Sequence, residues 1–183
     1  DERRKMQKLV SEAEAKAEIT SWYSAEYFEG GLTKGYADYG ASEETSRHQA
    51  RATLRHLRRY QASGRLLEIG CAYGFFLQEA RNFFQVSGVE ISRHAAEQAR
   101  VRGLDVVTGD FQGLPVPVAH YTAVCLFDCI EHLAAPFKYL LKIHSSLSPG
   151  GVVALSTGDI GRLYPRLAGR RWRLMTPPQH LFY

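Results

Sequence analysis

The stretch from Arg65 to Leu77, RLLEIGCAYGFFL, constrains this chain more than any other part of it. An apolar run (Leu66, Leu67, Ile69) passes into a Gly-rich turn, and an apolar segment at helical spacing (Phe75, Phe76, Leu77, Ala80) follows. A buried strand entering a tight turn and then a helix is the local architecture of a nucleotide-binding βα unit. Gly70, Ala72 and Gly74 remove side chains where ligand and backbone would approach each other. Glu68 places a carboxylate near the C-terminal end of the strand. A dinucleotide fingerprint needs G-x-G-x-x-G, with a pyrophosphate on the helix N-terminus. This turn reads E-x-G-x-A-x-G instead, with an acid two residues before the first Gly and no third Gly at the required step. A carboxylate-bearing turn suits a cationic ligand with an amino group better than a diphosphate. A nicotinamide-dependent oxidoreductase is therefore the weaker alternative.

The rest of the chain supplies strands and helices in alternation. Gln85 to Ile91 reads as a second strand ending near Glu90, and Ser92 caps a helix that Gly103 stops near Arg102. Leu104 to Thr108 is a short third strand, and Tyr121 to Phe127 a fourth, apolar enough to be buried on both faces. Pro136 opens a helix expected to turn Phe137, Leu140, Leu141 and Leu147 to the core; Ser148-Pro149-Gly150-Gly151 breaks it, and Val152 to Ser156 is a fifth strand. This order implies a parallel sheet with right-handed crossovers. Upstream, Glu2 to Ala17 has helical spacing, and an aromatic, Gly-rich stretch from Tyr27 to Tyr39 reads as a lid or wall. A helix capped by Ser42 follows, with Ala50, Leu54 and Leu57 inward and Arg51, Arg55, Arg58 and Arg59 outward. Residues 1–62 are thus expected to form an N-terminal helical and aromatic lid region, and 63–183 the core, together one domain.

Composition narrows the classes. A hydrophobic fraction of 45% and a charged fraction of 23% are those of a soluble globular protein. A solvated basic face accounts for the net charge of +4, so nucleic acid is not the expected partner. No apolar run reaches the roughly eighteen residues of a membrane span. Cys71, Cys125 and Cys129 cannot form a paired framework, and the spacing of the last two is poor for zinc. Reduced thiols, together with a leading DERRKMQK that holds no apolar core, point to the cytoplasm.

The central turn resembles motif I of the class I S-adenosylmethionine-dependent methyltransferases, and later segments repeat that pattern in order. Glu90 lies twenty residues after Gly70; Gly109-Asp110-Phe111 ends the third strand. Asp128-Cys129-Ile130-Glu131-His132-Leu133 follows the fourth strand, and Leu147-Ser148-Pro149-Gly150-Gly151 precedes the fifth. Tyr27-Phe28-Glu29-Gly30-Gly31, Gly169-Arg170-Arg171-Trp172 and Pro177-Pro178-Gln179-His180 extend the likeness over about residues 27–183. Within the class the chain is similar to bacterial small-molecule methyltransferases related to the ubiquinone-biosynthesis O-methyltransferase.

That resemblance implies an α/β, Rossmann-like, mainly parallel sheet with helices on both faces. It also implies truncation, because the family continues past Pro-Pro-x-His with a helix and a closing antiparallel strand pair. S-adenosylmethionine is the implied cofactor, against Glu68, Gly70, Cys71, Ala72, Gly74, Phe75, Glu90, Ile91, Asp110, Phe111, Phe127 and Asp128, with Tyr36 as a lid. Glu90 would accept the ribose hydroxyls, and Asp110 the adenine amine. His132 and His180 are the candidate bases for methylating a small molecule, on oxygen before carbon or nitrogen. Asp128-Cys129-Ile130 replaces the Pro-Pro-aromatic motif of base-amino methyltransferases. Two carboxylates and one His (Asp128, Glu131, His132) are not specific for a cation, so no metal is assigned. Arg170, Arg171 and Arg173 beside Trp172 would suit an anionic group on the substrate. Ala72 stands where the family has Gly; a positive φ there would cost on the order of 1 kcal/mol. A non-catalytic module that keeps the cofactor site is the other alternative.

Overall fold

The computed structural model describes residues 21, 23–30, 38–159 and 167. Five parallel strands form one sheet in the order β3-β2-β1-β4-β5: β1 (Gly64–Ile69), β2 (Phe84–Glu90), β3 (Val106–Thr108), β4 (Tyr121–Phe127) and β5 (Leu147–Ser156). Among the described residues the helices are α1 (Ala25–Glu29), α2 (Glu43–Leu57), α3 (Phe75–Ala80), α4 (Arg93–Val101) and α5 (Pro136–Ser146), with 3-10 turns at Gly40–Ser42 and Ile130–His132. The strand order reverses direction between β1 and β4, which opens a crevice at the C-terminal ends of these two strands.

Residues 66–69 of β1 and 123–126 of β4 are buried on both faces, as the nearly all-apolar sequence of β4 requires. Leu66, Ala123 and Cys125 pack with residues of α2, α3 and α4, including Leu54, Leu57, Leu77 and Ala99. Leu67, Ile69, Val124 and Leu126 point the other way, onto Ile143 of α5 and onto Phe111. Helices therefore cover both faces, as the Rossmann-like reading expects. The parallel sheet is as expected, and the fourth strand agrees with the sequence reading residue for residue. The expected loss of a closing strand pair, the Glu2–Ala17 helix and Tyr36 fall outside the described residues.

Three expectations need correction. Phe137 and Leu141 are 69% and 56% exposed, and Leu140 is exposed as well, whereas Ile143 is fully buried. The side of α5 that meets the sheet runs through Tyr139, Ile143 and Ser146; helical phase set by the sheet overrides the count of apolar residues. The fifth strand begins at Leu147 and not at Val152. Tyr121 pairs with Leu147 while Ala123 pairs with Val152, so three extra residues bulge where Pro149 cannot donate and Gly150 turns to φ +79°. Ser42 does occupy the N-cap of α2, but its hydroxyl donates back to the Tyr39 carbonyl (2.7 Å) and makes no cap bond. Ser92, in contrast, caps α4 by accepting from the Ala95 N–H (3.3 Å).

The basic residues of α2 are partly structural. Arg47 and Arg51 donate to Glu79 of α3 at 2.6 and 3.2 Å, and Arg58 lies over the Phe83 ring at 3.6 Å. No helix among the described residues is long and apolar enough to cross a membrane.

The reassigned face of α5 is directly testable. Ile143→Ala should destabilise the protein by about 2–5 kcal/mol in urea unfolding, whereas Leu141→Ala should stay within about 0.5 kcal/mol. Equal losses in the two variants would contradict the assignment.

Candidate active site

The turn after β1 is built by three consecutive constraints. Gly70 (φ +76°) and Ala72 (φ +46°) adopt left-handed backbone, and a Cβ on Gly70 would sit 3.1 Å from Cys129 Sγ. Ala72 thus carries the strain that its replacement of Gly implies, on the order of 1 kcal/mol. Its N–H donates to Glu90 Oε2 at 2.8 Å, which gives that conformation a return. Gly74 (φ +77°) faces away from the cleft; a Cβ there would meet Leu104 Cδ1 at 2.2 Å and Ala99 at 3.3 Å. Its contribution is close packing of α3 against α4.

Glu90, at the end of β2, is 4% exposed and receives two backbone donors, Ala72 N–H on Oε2 and Ser92 N–H on Oε1 (2.8 Å). Burial raises its pKa nonetheless, so desolvation outweighs the hydrogen bonds that favour the charged form. Glu68, equally buried on β1, is pushed well above the ordinary carboxylate range, first by burial and then by the nearby Glu90 charge. Its Oε2 is buried without a hydrogen-bond partner. Glu131, 7% exposed, has an Oε2 in the same condition.

These groups line one cleft of about 2100 Å3. Of the residues singled out in the sequence, Glu68, Gly70, Cys71, Ala72, Phe75, Glu90, Ile91, Asp110, Phe111, Phe127, Asp128 and His132 line it, whereas Gly74 does not. Tyr36 and His180 lie outside the described residues. Asp128 has left-handed backbone (φ +48°), and its N–H donates to the Ser156 carbonyl at 3.0 Å. It therefore stands apart from the 3-10 turn of Ile130–His132, and Asp128, Glu131 and His132 do not lie along a single α-turn, although their i, i+3, i+4 spacing would allow it. Among the described residues no group of three or more His, Cys, Asp or Glu side chains is arranged to hold a metal ion. The Cys129 thiol is pushed up to about 12, by burial first and then by the Glu90, Glu131, Glu68 and Asp128 charges around it.

An aromatic wall closes the N-terminal side. Phe28 stacks on Tyr73 and Tyr39 on Phe75, both at 5.4 Å between ring centres, and Ser92 Oγ donates to the Tyr23 carbonyl at 2.7 Å. His132 meets the Tyr23 ring edge-on at 6.1 Å. The lid expected from the aromatic stretch is thus a packed wall at Tyr23, Phe28 and Tyr39. Two residues the sequence reading passed over also matter. Tyr139 and Lys142 of α5 both bond the loop that carries Asp110. Their spacing of three, in phase with Ile143 and Ser146, was the available signal.

A nucleoside sulfonium fits this donor and acceptor set. Buried carboxylates with an orphaned oxygen want a cationic or N–H-bearing ligand, and the same acids would repel a diphosphate. The comparisons agree. The chain is 32% identical over 102 residues to the ubiquinone biosynthesis O-methyltransferase of Caulobacter sp. (strain K31), a match covering 51% of this chain and 40% of that protein. It therefore spans well under half the length of that relative. Among solved structures, a possible histamine N-methyltransferase from Thermotoga maritima, S-adenosylmethionine-dependent, superposes with a TM-score of 0.64 at 23% identity. That match covers 79% of this chain and 69% of the other, and it speaks for the fold alone. S-adenosylmethionine-bound CalS10, an amino pentose methyltransferase from Micromonospora echinaspora, gives 0.57 at 25% identity over 62% of this chain and 51% of its own. A family profile described as a methyltransferase domain matches residues 43–183. The chain belongs to that methyltransferase domain family.

Proposed function

We propose that this chain transfers a methyl group from S-adenosylmethionine to a hydroxyl oxygen of a small molecule. The observation that carries the reading is the pair of buried carboxylates, Glu68 and Glu90, at the C-terminal ends of β1 and β2, one of them with an oxygen lacking any partner. When bound, the cofactor supplies a methyl group already activated by its sulfonium. The protein's task is then alignment, exclusion of water and proton removal.

In this reading Glu90 accepts from the ribose hydroxyls while its backbone donors hold it in place. Asp110 accepts from the adenine amine, with Phe111 beneath the loop. Glu68 faces the positive end of the ligand. The cleft is larger than the roughly 300–1,000 Å3 of a single small-molecule pocket, so cofactor and acceptor can lie side by side. His132 follows β4, beside which the reacting methyl would lie, and a ring nitrogen of neutral His132 takes the acceptor's proton. The likeness to ubiquinone O-methyltransferases supports oxygen over nitrogen as the methyl acceptor. The deeply buried, high-pKa thiols of Cys71 and Cys125 suit a reducing, cytoplasmic setting.

Calorimetry with S-adenosylhomocysteine tests the site. Glu90→Gln removes the charge and turns one of its two oxygens into a donor that faces a backbone N–H, and should weaken binding by about 2–3 kcal/mol; unchanged affinity would remove Glu90 from the ribose site.

Affinity for S-adenosylmethionine should also depend on pH. The Glu68 pKa is raised in the free protein, so the folded state holds a proton that the unfolded state releases nearer the ordinary glutamate value of 4.5. Charging Glu68 as pH rises above that value removes stability from the free domain, whereas a cationic ligand favours the charged form. Binding should therefore release protons and tighten as pH rises through the raised pKa, and Glu68→Gln should flatten that rise. A pH-independent wild-type affinity would be the contrary result.

For the chemistry, His132→Ala should lower kcat by about 10²–10⁴-fold and abolish the acidic limb of the pH–rate profile. A variant that keeps both rate and limb would clear His132 of the proton transfer.

A further inference from the structure

Asp110 sits on a stretch between β3 and β4 that has neither helix nor strand to hold it, residues 109–120. Gly109 (φ +151°) ties it to β2 through an N–H to the Glu90 carbonyl (2.8 Å), and the Gly113 N–H closes a turn onto the Asp110 carbonyl (3.0 Å). A further tether comes from α5. Lys142 Nζ donates to the carbonyl oxygens of Phe111, Gln112 and Leu114 at 2.6, 2.9 and 2.5 Å. Three acceptors match the three donors of an ammonium, and none is a side chain. The same cation lies 4.9 Å from the centre of the Phe111 ring, which is 1% exposed. One helical turn earlier, the Tyr139 hydroxyl donates to Asp110 Oδ1, an oxygen that also accepts from the Gln112 N–H at 3.2 Å. The Tyr139 ring is tilted against Phe111 at 5.9 Å.

Lys142 is half-buried partway along α5, and its ammonium is directed at backbone carbonyls. Desolvation lowers its pKa while the nearby Asp110 charge works the other way, and an apolar residue there would pack under Phe111 without that desolvation. What the ammonium supplies is position: it fixes three successive parts of one loop relative to a rigid helix, next to the carboxylate at its start.

We propose that Lys142 is a positioning residue for base recognition. It holds loop 109–114 so that Asp110 faces the amino edge of the purine, and this sets the preference for a 6-amino over a 6-oxo base. The proposal rests on the reading of the cleft as a nucleoside site. Its physical basis is that a fixed carboxylate both accepts from a 6-amino group and repels a 6-oxo group, whereas a carboxylate on a slack loop can turn away. Lys142 itself touches neither cofactor nor acceptor.

The test is the ratio of affinities for S-adenosylhomocysteine and its 6-oxo analogue, S-inosylhomocysteine, measured by calorimetry on the full-length protein. Wild type should favour the 6-amino ligand, and Lys142→Met should reduce the ratio about tenfold or more, mainly by weakening the 6-amino ligand. Lys142→Arg, which can still reach the carbonyls, should restore most of the ratio; a purely structural lysine would show parallel losses for both ligands. If Lys142→Met does not fold, Lys142→Gln, with two donors left, should give an intermediate ratio. An unchanged ratio in the folded variant, or equal weakening of the two ligands, overturns the proposal. Wild type that binds neither ligand overturns the nucleoside reading and this proposal with it, whereas intact wild-type selectivity with an unchanged Lys142→Met ratio overturns this proposal alone.

Discussion

A single buried carboxylate holds the site together. Glu90 accepts from the N–H of Ala72 in the turn after β1 and from the N–H of Ser92 at the cap of α4. Ser92 in turn caps α4 and reaches the Tyr23 carbonyl of the N-terminal segment. The β1 turn and the cap of α4 thus meet on one side chain, and Ser92 links the N-terminal segment to them. Each bond to a charged acceptor is worth on the order of 1.5–3 kcal/mol. Even so the two do not fully offset burial, and the Glu90 pKa is raised. The cleft of the free protein is built slightly against its own charge, a condition that a donor-rich, cationic ligand relieves.

The sheet explains why so many acids can be buried in one place. Hydrophobic burial on both faces of β1 and β4 fixes these strands, and the acids stand at or just beyond the ends of the apolar runs. Rigid packing below the cleft therefore carries the unfavourable electrostatics above it. The aromatic contacts of Phe28 and Tyr39 with Tyr73 and Phe75 wall off one side of the cleft, so residues far upstream become part of the same unit as the β1 turn. On the opposite face, α5 fastens the loop that follows β3.

Much of this was legible in the chain. Strands with unbroken apolar sequence, β4 above all, announce two-sided burial, and the E-x-G-x-A-x-G spacing places an acid and a left-handed turn at a strand end. Local chemistry was enough there because the constraints are local: a backbone sign at Ala72, a hydroxyl at the cap of α4. Segments with competing signals were read less well. Phe137, Leu140 and Leu141 outnumber Ile143 as apolar residues of α5, yet they point to solvent. Pro149 and Gly150 break a helix and also sit inside a strand, because a bulge absorbs them.

The sequence by itself determined the order of strands and helices, the Gly-rich turn and the acids that end β1 and β2, since periodicity and backbone permissiveness act over a few residues. Tertiary structure alone decided which side of α5 meets the sheet, that Tyr139 and Lys142 grip the Asp110 loop, and that Gly74 serves packing while Ala72 serves the cleft. Those outcomes depend on which surfaces meet across the sheet. A helix's phase against its neighbour, and the partner a side chain finds, are fixed only when distant segments are brought within hydrogen-bond distance.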